Sequence, residues 1–255
     1  MTAFSSTSIA VFVLVLVRVS ALVAAAPIFG AKSLPTQIKV ALAVMVSLIF
    51  TPLQVTRAVA IPPGPFTFGM LVGREALIGL AVGYAVALVF TGVQVGSHLI
   101  GIQMGFGLGG IINPDSGADS GAIDSFFLVL ATVIFLAANG HHAMLAGLSR
   151  TFEVAPVGGS QMPRIDPAQV LALVQAVLAI ALRIAMPVIG TMIITDVAIG
   201  LVARAAPGME VMVLSMPVKI SVGLLMLAAS APMSAALLHA VFANVGGDIA
   251  RLFTG

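Results

Sequence analysis

Residues 76–114 read ALIGLAVGYAVALVFTGVQVGSHLIGIQMGFGLGGIINP, and none of these 39 positions between Glu75 and Asp115 is Asp, Glu, Lys or Arg. A helix needs about 20 apolar residues to cross the hydrocarbon core of a bilayer, so the run is long enough for one extended helix or a broken pair. It lacks the strict apolar–polar alternation of a lipid-facing strand. Lipid leaves the backbone only helices or closed barrels, so the run reads as helix.

The same pattern recurs outward from this stretch. Uncharged gaps of 25 residues follow Asp124 up to Arg150 and of 28 residues follow Lys219 up to Asp248. Another apolar run covers residues 9–29 and is broken only by Arg18. Residues 40–56 form a fifth, and 170–202 a sixth, interrupted by Arg183 and Asp196. Pro27 and Pro35 bracket the first turn, and Pro52, Pro62, Pro63 and Pro65 the second. Asp166 suits a helix N-cap with Pro167 at the first helical position. Pro187, Pro217 and Pro232 fall inside apolar runs and predict kinks there. No repeat and no linker stands out, so residues 1–255 read as one domain. The fold class expected is all-α, a polytopic membrane protein of long, kinked helices and helical hairpins.

Composition supports this. The chain is 60% hydrophobic and 8% charged, whereas a soluble domain is about a quarter charged. That excludes an ordinary soluble enzyme and a disordered chain. A net charge of +2 gives no basic footprint, so no nucleic acid is expected as a partner. Without cysteine there is no disulfide framework, thiolate metal site or thiol nucleophile. The first segment does not read as a cleavable signal, because its leader lacks Lys and Arg and Arg18 sits within the apolar stretch. Lys and Arg favour no alternating set of loops, so orientation is not specified.

Several constellations carry more detail. Glycines recur at four-residue spacing at Gly69 and Gly73, Gly79 and Gly83, Gly92 and Gly96, then Gly101, Gly105 and Gly109. Each pair leaves a flat groove for a second backbone, although glycine is also simply common in membrane helices. Residues 101–124 begin apolar, become glycine-rich at Gly105, Gly107, Gly109 and Gly110, and end small and acidic after Asn113-Pro114-Asp115. Each glycine costs a helix roughly 1 kcal/mol relative to alanine, so a loop is expected. It reads either as a surface loop between spans or as an element lining or blocking a cavity.

Arg18, Arg74, Glu75, Arg183 and Asp196 lie in or beside apolar runs. A bare charge at the bilayer centre costs roughly 3 kcal/mol, so each needs a partner. Neighbours such as Arg74 and Glu75 are not expected to face each other on a helix. Structural pairing fits this set better than a proton path. His141 and His142 follow Asn139-Gly140, which reads as a helix interruption with a polar cap. No nucleophile–base–orienter set and no metal-ligand spacing can be assembled, so the chain is not read as an enzyme, and no cofactor or metal is expected.

Ordered motifs carry a resemblance. Arg18-Val19-Ser20-Ala21 precedes Ala26-Pro27-Ile28-Phe29-Gly30, Leu34-Pro35 and Lys39. Glu75, Gly79 and Gly83 follow, then Gly101-Ile102-Gln103-Met104-Gly105-Phe106 with Asn113-Pro114. Phe135-Leu136, Asn139-Gly140-His141, Phe152 and Pro156-Val157-Gly158 come next, and Ile199-Gly200-Leu201-Val202-Ala203-Arg204-Ala205-Ala206-Pro207 through Pro217-Val218-Lys219 closes the series. In order and spacing the chain resembles the FliR family of flagellar type III export-apparatus membrane proteins, with the injectisome paralogue close behind. It departs from the family pattern at Asn113, Gly208 and Glu210.

The resemblance implies a structural and gating subunit of a protein-export gate. FliP-like and FliQ-like subunits would form the pore with it, an FlhB-like subunit would adjoin, and unfolded flagellar proteins would pass through. The place implied is the bacterial inner membrane at the flagellar basal body. A loop after the long central helix would plug the pore, here from Gly105 to about Ile123, with Phe106, Gly107, Leu108, Gly109, Gly110, Ile111, Ile112, Asn113, Pro114 and Asp115 in it. Gly92, Gly96 and Gly101 are expected to pack against partner helices. A small-molecule or ion transporter with a polar midplane site is the alternative reading.

Overall fold

A computed structural model describes residues 6–30, 34–56, 64–106, 121–159, 167–206 and 211–252. Seven α-helices account for nearly all of them: α1 (Ser6–Ala25), α2 (Thr36–Val55), α3 (Pro65–Met104), α4 (Ala122–Ala137), α5 (Gly140–Val154), α6 (Pro167–Ala205) and α7 (Val211–Leu252). Among the described residues there is no strand. The all-α membrane class expected from the apolar runs is therefore the fold. Among the described residues, five helices are long and apolar enough to cross a membrane, or six spans if the α4–α5 pair counts as one.

Of the uncharged run at the centre of the sequence, residues 76–104 lie in one unbroken helix, not a broken pair. α3 is 40 residues long, starts on Pro65 as its first helical residue and runs past Arg74 and Glu75. The run after Asp124 is the broken one: α4 ends at Ala137 and α5 starts at Gly140. Asn139 makes that break with a left-handed backbone, φ 55. The interruption is thus where the sequence put it, but the polar cap is not, since the Asn139 side chain makes no capping hydrogen bond. Pro52 does not bracket a turn; it lies inside α2, which continues to Val55. Pro187, Pro217 and Pro232 also lie inside continuous helices. Asp166 lies outside the described residues.

Contacts gather the chain into two compact units. One comprises Met1–Leu88, Asn139–Leu173 and Ala243–Gly255; the other comprises Val89–Ala138 and Val174–Phe242. In the first, α1 packs on α2 and buries Val11, Leu14, Val15, Val19 and Leu22. Those positions recur at three and four residues, the stripe of an amphipathic helix, and Arg18 stands in the middle of it. Gly79 and Gly83 admit α1 to α3. A Cβ at Gly79 would strike the Arg18 carbonyl, and one at Gly83 would stand 2.5 Å from Ala25 Cβ and 2.9 Å from the Leu22 carbonyl.

In the second unit, Phe90, Phe135 and Phe242 form a three-ring cluster with centroids 5.2 to 5.8 Å apart. These edge and tilted geometries suit aromatic quadrupoles. α6 buries Ile180, Ala181, Ile184, Ala185, Val188 and Met192, while Leu178, Leu182, Ile194 and Leu201 stand exposed. α2 likewise leaves Met45, Leu48, Ile49 and Leu53 outside, although it buries Ser47 and Gln54. Apolar groups thus cover much of the outside while several charges sit inside, the inverse of what water selects.

Candidate functional site

Two clusters hold the residues singled out from the sequence, one in each unit. The first is a charge lock. Arg18 and Glu75 are both fully buried. Arg18 Nε donates to Glu75 Oε2 at 2.5 Å, Nη1 donates to Thr151 Oγ1 at 3.2 Å, and Nη2 donates to the Ala155 carbonyl at 2.9 Å. The guanidinium carbon lies 4.2 Å from the centre of the Phe152 ring, a cation–π distance. Arg74 Nη1 donates to the other Glu75 oxygen at 2.9 Å and to the Pro156 carbonyl at 3.1 Å.

α1, α3, α5 and the turn after α5 are thereby tied at one carboxylate. A buried pair repays desolvation only when its remaining hydrogen-bonding capacity is also met, as it is here. The sequence expectation that Arg74 and Glu75 do not meet is overturned. Their Cα atoms diverge on the helix, but long side chains can bend toward a shared point, and the Pro156 carbonyl holds Arg74 there. Thr151, Phe152 and the Ala155 carbonyl were missed as partners. Their only signal was that Arg18 and Glu75, opposite in sign, each interrupt an apolar run.

The second cluster surrounds the end of α3. Gly105 has φ 90; its N–H donates to the Ile102 carbonyl at 3.0 Å and the Phe106 N–H to the Gly101 carbonyl at 2.9 Å. This is a Schellman ending, which needs the left-handed conformation glycine takes without strain. Gln103 Nε2 donates to Asp196 Oδ2 at 3.4 Å, and Lys219 Nζ sits 2.6 Å from Asp196 Oδ1. Met104 is fully buried and fills the space at Gly223, where a Cβ would stand 2.6 Å from Met104 Cε. On the far side of residues 107–120, Asp124 lies in the first turn of α4, where its charge complements the helix dipole. Ser97 Oγ donates to Asp124 Oδ1 at 2.7 Å, and His98 Nδ1 lies 3.3 Å from Asp124 Oδ2. A groove of about 480 Å³ beside this contact is lined by Thr91, Gln94, His98, Asp124 and Ser125 with apolar neighbours.

Asp124 in α4 is therefore held to Ser97 and His98 in α3, and Gln103 near the end of α3 is held to Asp196 in α6. Of the expected plug residues, Gly105 and Phe106 lie just past the end of α3, with Phe106 exposed. Gly107, Leu108, Gly109, Gly110, Ile111, Ile112, Asn113, Pro114 and Asp115 lie outside the described residues. Gly92 and Gly96 face α6 of the same chain: added Cβ atoms would stand 3.0 Å from the Val177 carbonyl and 2.9 Å from the Ala181 carbonyl. Gly101 faces open space, with nothing within 4 Å.

Chemically, the second cluster joins α3 to α4 and α6 through hydrogen bonds, and α6 to α7 through an ion pair. The Ser97 hydroxyl is directed to the Asp124 carboxylate, not to an imidazole that would activate it. Among the described residues no three His, Asp or Glu side chains gather as metal ligands.

Among the described residues, an all-helical fold with apolar groups outside and charges inside defines a polytopic membrane protein. Residues 9–245 match the sequence profile of the bacterial export proteins, family 1, and the chain belongs to that family, as the FliR resemblance foretold. It is 30% identical over 242 residues to the flagellar biosynthetic protein FliR of Escherichia coli, covering 94% of this chain and 91% of that one. It is 29% identical over 221 residues to FliR of Bacillus subtilis, covering 85% and 84%. Yop proteins translocation protein T of Yersinia pestis is 27% identical over 167 residues, or 64% and 63% of the two chains. The family is one of export-apparatus components, not of enzymes.

Proposed function

We propose that the chain is a structural and gating subunit of a flagellar type III export gate in the bacterial inner membrane. It forms a pore with FliP-like and FliQ-like subunits, next to an FlhB-like subunit, and unfolded flagellar proteins pass through that pore. The observation that carries this reading is the family match across residues 9–245. Physically, the exposed apolar faces of α2, α6 and α7 suit burial against companion helices and lipid.

Within this reading, residues 105–123 are the plug. The contacts of Gln103 and Asp124 support it, because they fix the helices on either side of that stretch of sequence. Gly101, whose face is open, is available to a partner helix. Gly92 and Gly96 contribute by placing α6 on α3, so they act on assembly through the fold of this chain.

The reading is tested by purifying the tagged chain from its host in mild detergent. Co-recovery with FliP-like, FliQ-like and FlhB-like subunits is expected, and recovery as a solitary, transport-competent protein would refute it. In the assembled gate, deletion of residues 107–120 is expected to raise ion conductance. Unchanged conductance in a gate that still assembles would remove the plug assignment.

A further inference from the structure

The last turn of α3 reads Gly101-Ile102-Gln103-Met104 and is closed by Gly105, so glycine bounds it on both sides. Glycine is the poorest helix former after proline, and the turn holds its shape weakly on its own account. Its position depends on what its side chains grip. Ile102 is exposed, which leaves Gln103 and Met104.

Both lead to one face of α7. Met104, fully buried, lies along Gly223, where a Cβ would stand 2.6 Å from its Cε, 2.8 Å from its Cγ and 2.9 Å from its Sδ. Gln103 reaches Asp196 on α6, which Lys219 of α7 holds at 2.6 Å. Lys219 and Gly223 are four residues apart on α7 and therefore lie side by side. Neither hold is deep. The Gln103 bond, at 3.4 Å, exceeds the usual N–H···O range of about 2.7–3.2 Å. Lys219 and Asp196 are part-exposed, so their pair exchanges partners at little cost. Met104 is a flexible thioether lying across a residue without a side chain, and it can withdraw by rotating its own bonds. Gly105, at φ 90, lets the backbone turn just past the last held residue.

We propose that the turn from Gly101 to Gly105 is a catch: docked on α6 and α7 while the gate rests, it lets go of them while substrate passes. This rests on the reading of the chain as an export-gate subunit. The chain has no cysteine, so an introduced pair is unambiguous. A Cβ at Gly223 stands 2.8 Å from Met104 Cγ. That puts it no more than about 4.3 Å from Met104 Cβ, within reach of a disulfide, whose Cβ atoms stand about 3.5–4.5 Å apart. Met104→Cys with Gly223→Cys should therefore form a disulfide in the assembled gate. Oxidised, that gate is expected to keep its companion subunits and to export flagellar proteins at least about tenfold less than after reduction. Ala143→Cys with Gly246→Cys, whose Cβ atoms would stand 3.4 Å apart, ties α5 to α7 elsewhere and should leave export unchanged on oxidation.

Should the first pair be inactive even when reduced, hydrogen exchange in the intact gate decides. Lys219→Ala should speed exchange at Gly105 and Phe106 about threefold, and Gly223→Ala more, with the α3 amides around Glu75 unchanged. Full export with the disulfide closed at positions 104 and 223, failure of that disulfide to form, equal loss of export with the Ala143 and Gly246 pair, or unaltered exchange in both variants would overturn the catch. If the unaltered chain co-purifies with export subunits and supports export while the closed disulfide leaves export intact, the catch alone fails. If it does neither, the functional reading fails and takes the catch with it.

Discussion

The Arg18–Glu75 pair and the Lys219–Asp196 pair join oppositely charged side chains at nearly the same distance, 2.5 and 2.6 Å. Their surroundings differ. Arg18 and Glu75 are fully buried and wrapped by Thr151, Ala155, Phe152 and Arg74. Lys219 and Asp196 keep 26% and 39% of their side-chain surface exposed, and among the described residues Asp196 takes one further hydrogen bond, at 3.4 Å from Gln103. The contrast separates a fixed joint from a releasable one. A pair that has lost all its solvent cannot open without leaving naked charges in an apolar core, whereas a part-exposed pair exchanges its partner for water at little cost.

Substitutions at the lock should have the largest effect. Glu75→Leu strands two arginines and is expected to destabilise the chain by about 3–5 kcal/mol, read as loss of folded protein in detergent. The double variant Arg18→Met with Glu75→Leu should recover part of that loss. A single variant as stable as the unaltered chain would refute the lock.

Glycine contacts come next. Gly79→Val forces α1 away from α3 and should cost about 1–3 kcal/mol, whereas Gly73→Val, with nothing within 4 Å, should leave thermal stability unchanged. The same contrast applies at Gly96→Leu and Gly101→Leu, where only the first should impair folding of the chain itself. Equal melting shifts within each pair would show that the backbone approach is not what limits the size of the residue.

Gly105→Ala puts a Cβ on a left-handed residue and should cost about 1 kcal/mol, seen as faster hydrogen exchange at Gly105 and Phe106, whose amides close α3. Lys219→Ala should have the smallest effect, below about 1 kcal/mol. Its expected signature is a higher gate conductance with no change in chain abundance. A large loss of abundance would make Lys219 part of the core and erase its difference from Arg18.

How much of this was legible in the sequence differs by region. The six apolar runs anticipate the helices because length and hydropathy are local properties. Asn139-Gly140 marked the α4–α5 break because both residues tolerate a turn. Pro52 misled, since a proline near a helix end can stay inside the helix when the carbonyl it frees is accommodated. The glycine spacing on α3 predicted close approach without saying to what. One periodicity serves α1 at Gly79 and Gly83, α6 at Gly92 and Gly96, and open space at Gly69, Gly73 and Gly101.

By itself the sequence determined that this protein is helical, belongs in or beside a membrane, and carries five charges that apolar surroundings would not tolerate alone. It also carried the ordered motifs of an export family. Only the tertiary structure decided which charge meets which, and which one is left over. Ion pairing depends on residues 57 positions apart for Arg18 and Glu75, and chain separation contains no distance in space. A run of apolar letters fixes a helix because the backbone must satisfy itself within a few residues. A charge is satisfied by whatever the fold brings to it, and among the described residues the fold brings Arg183 no oppositely charged partner.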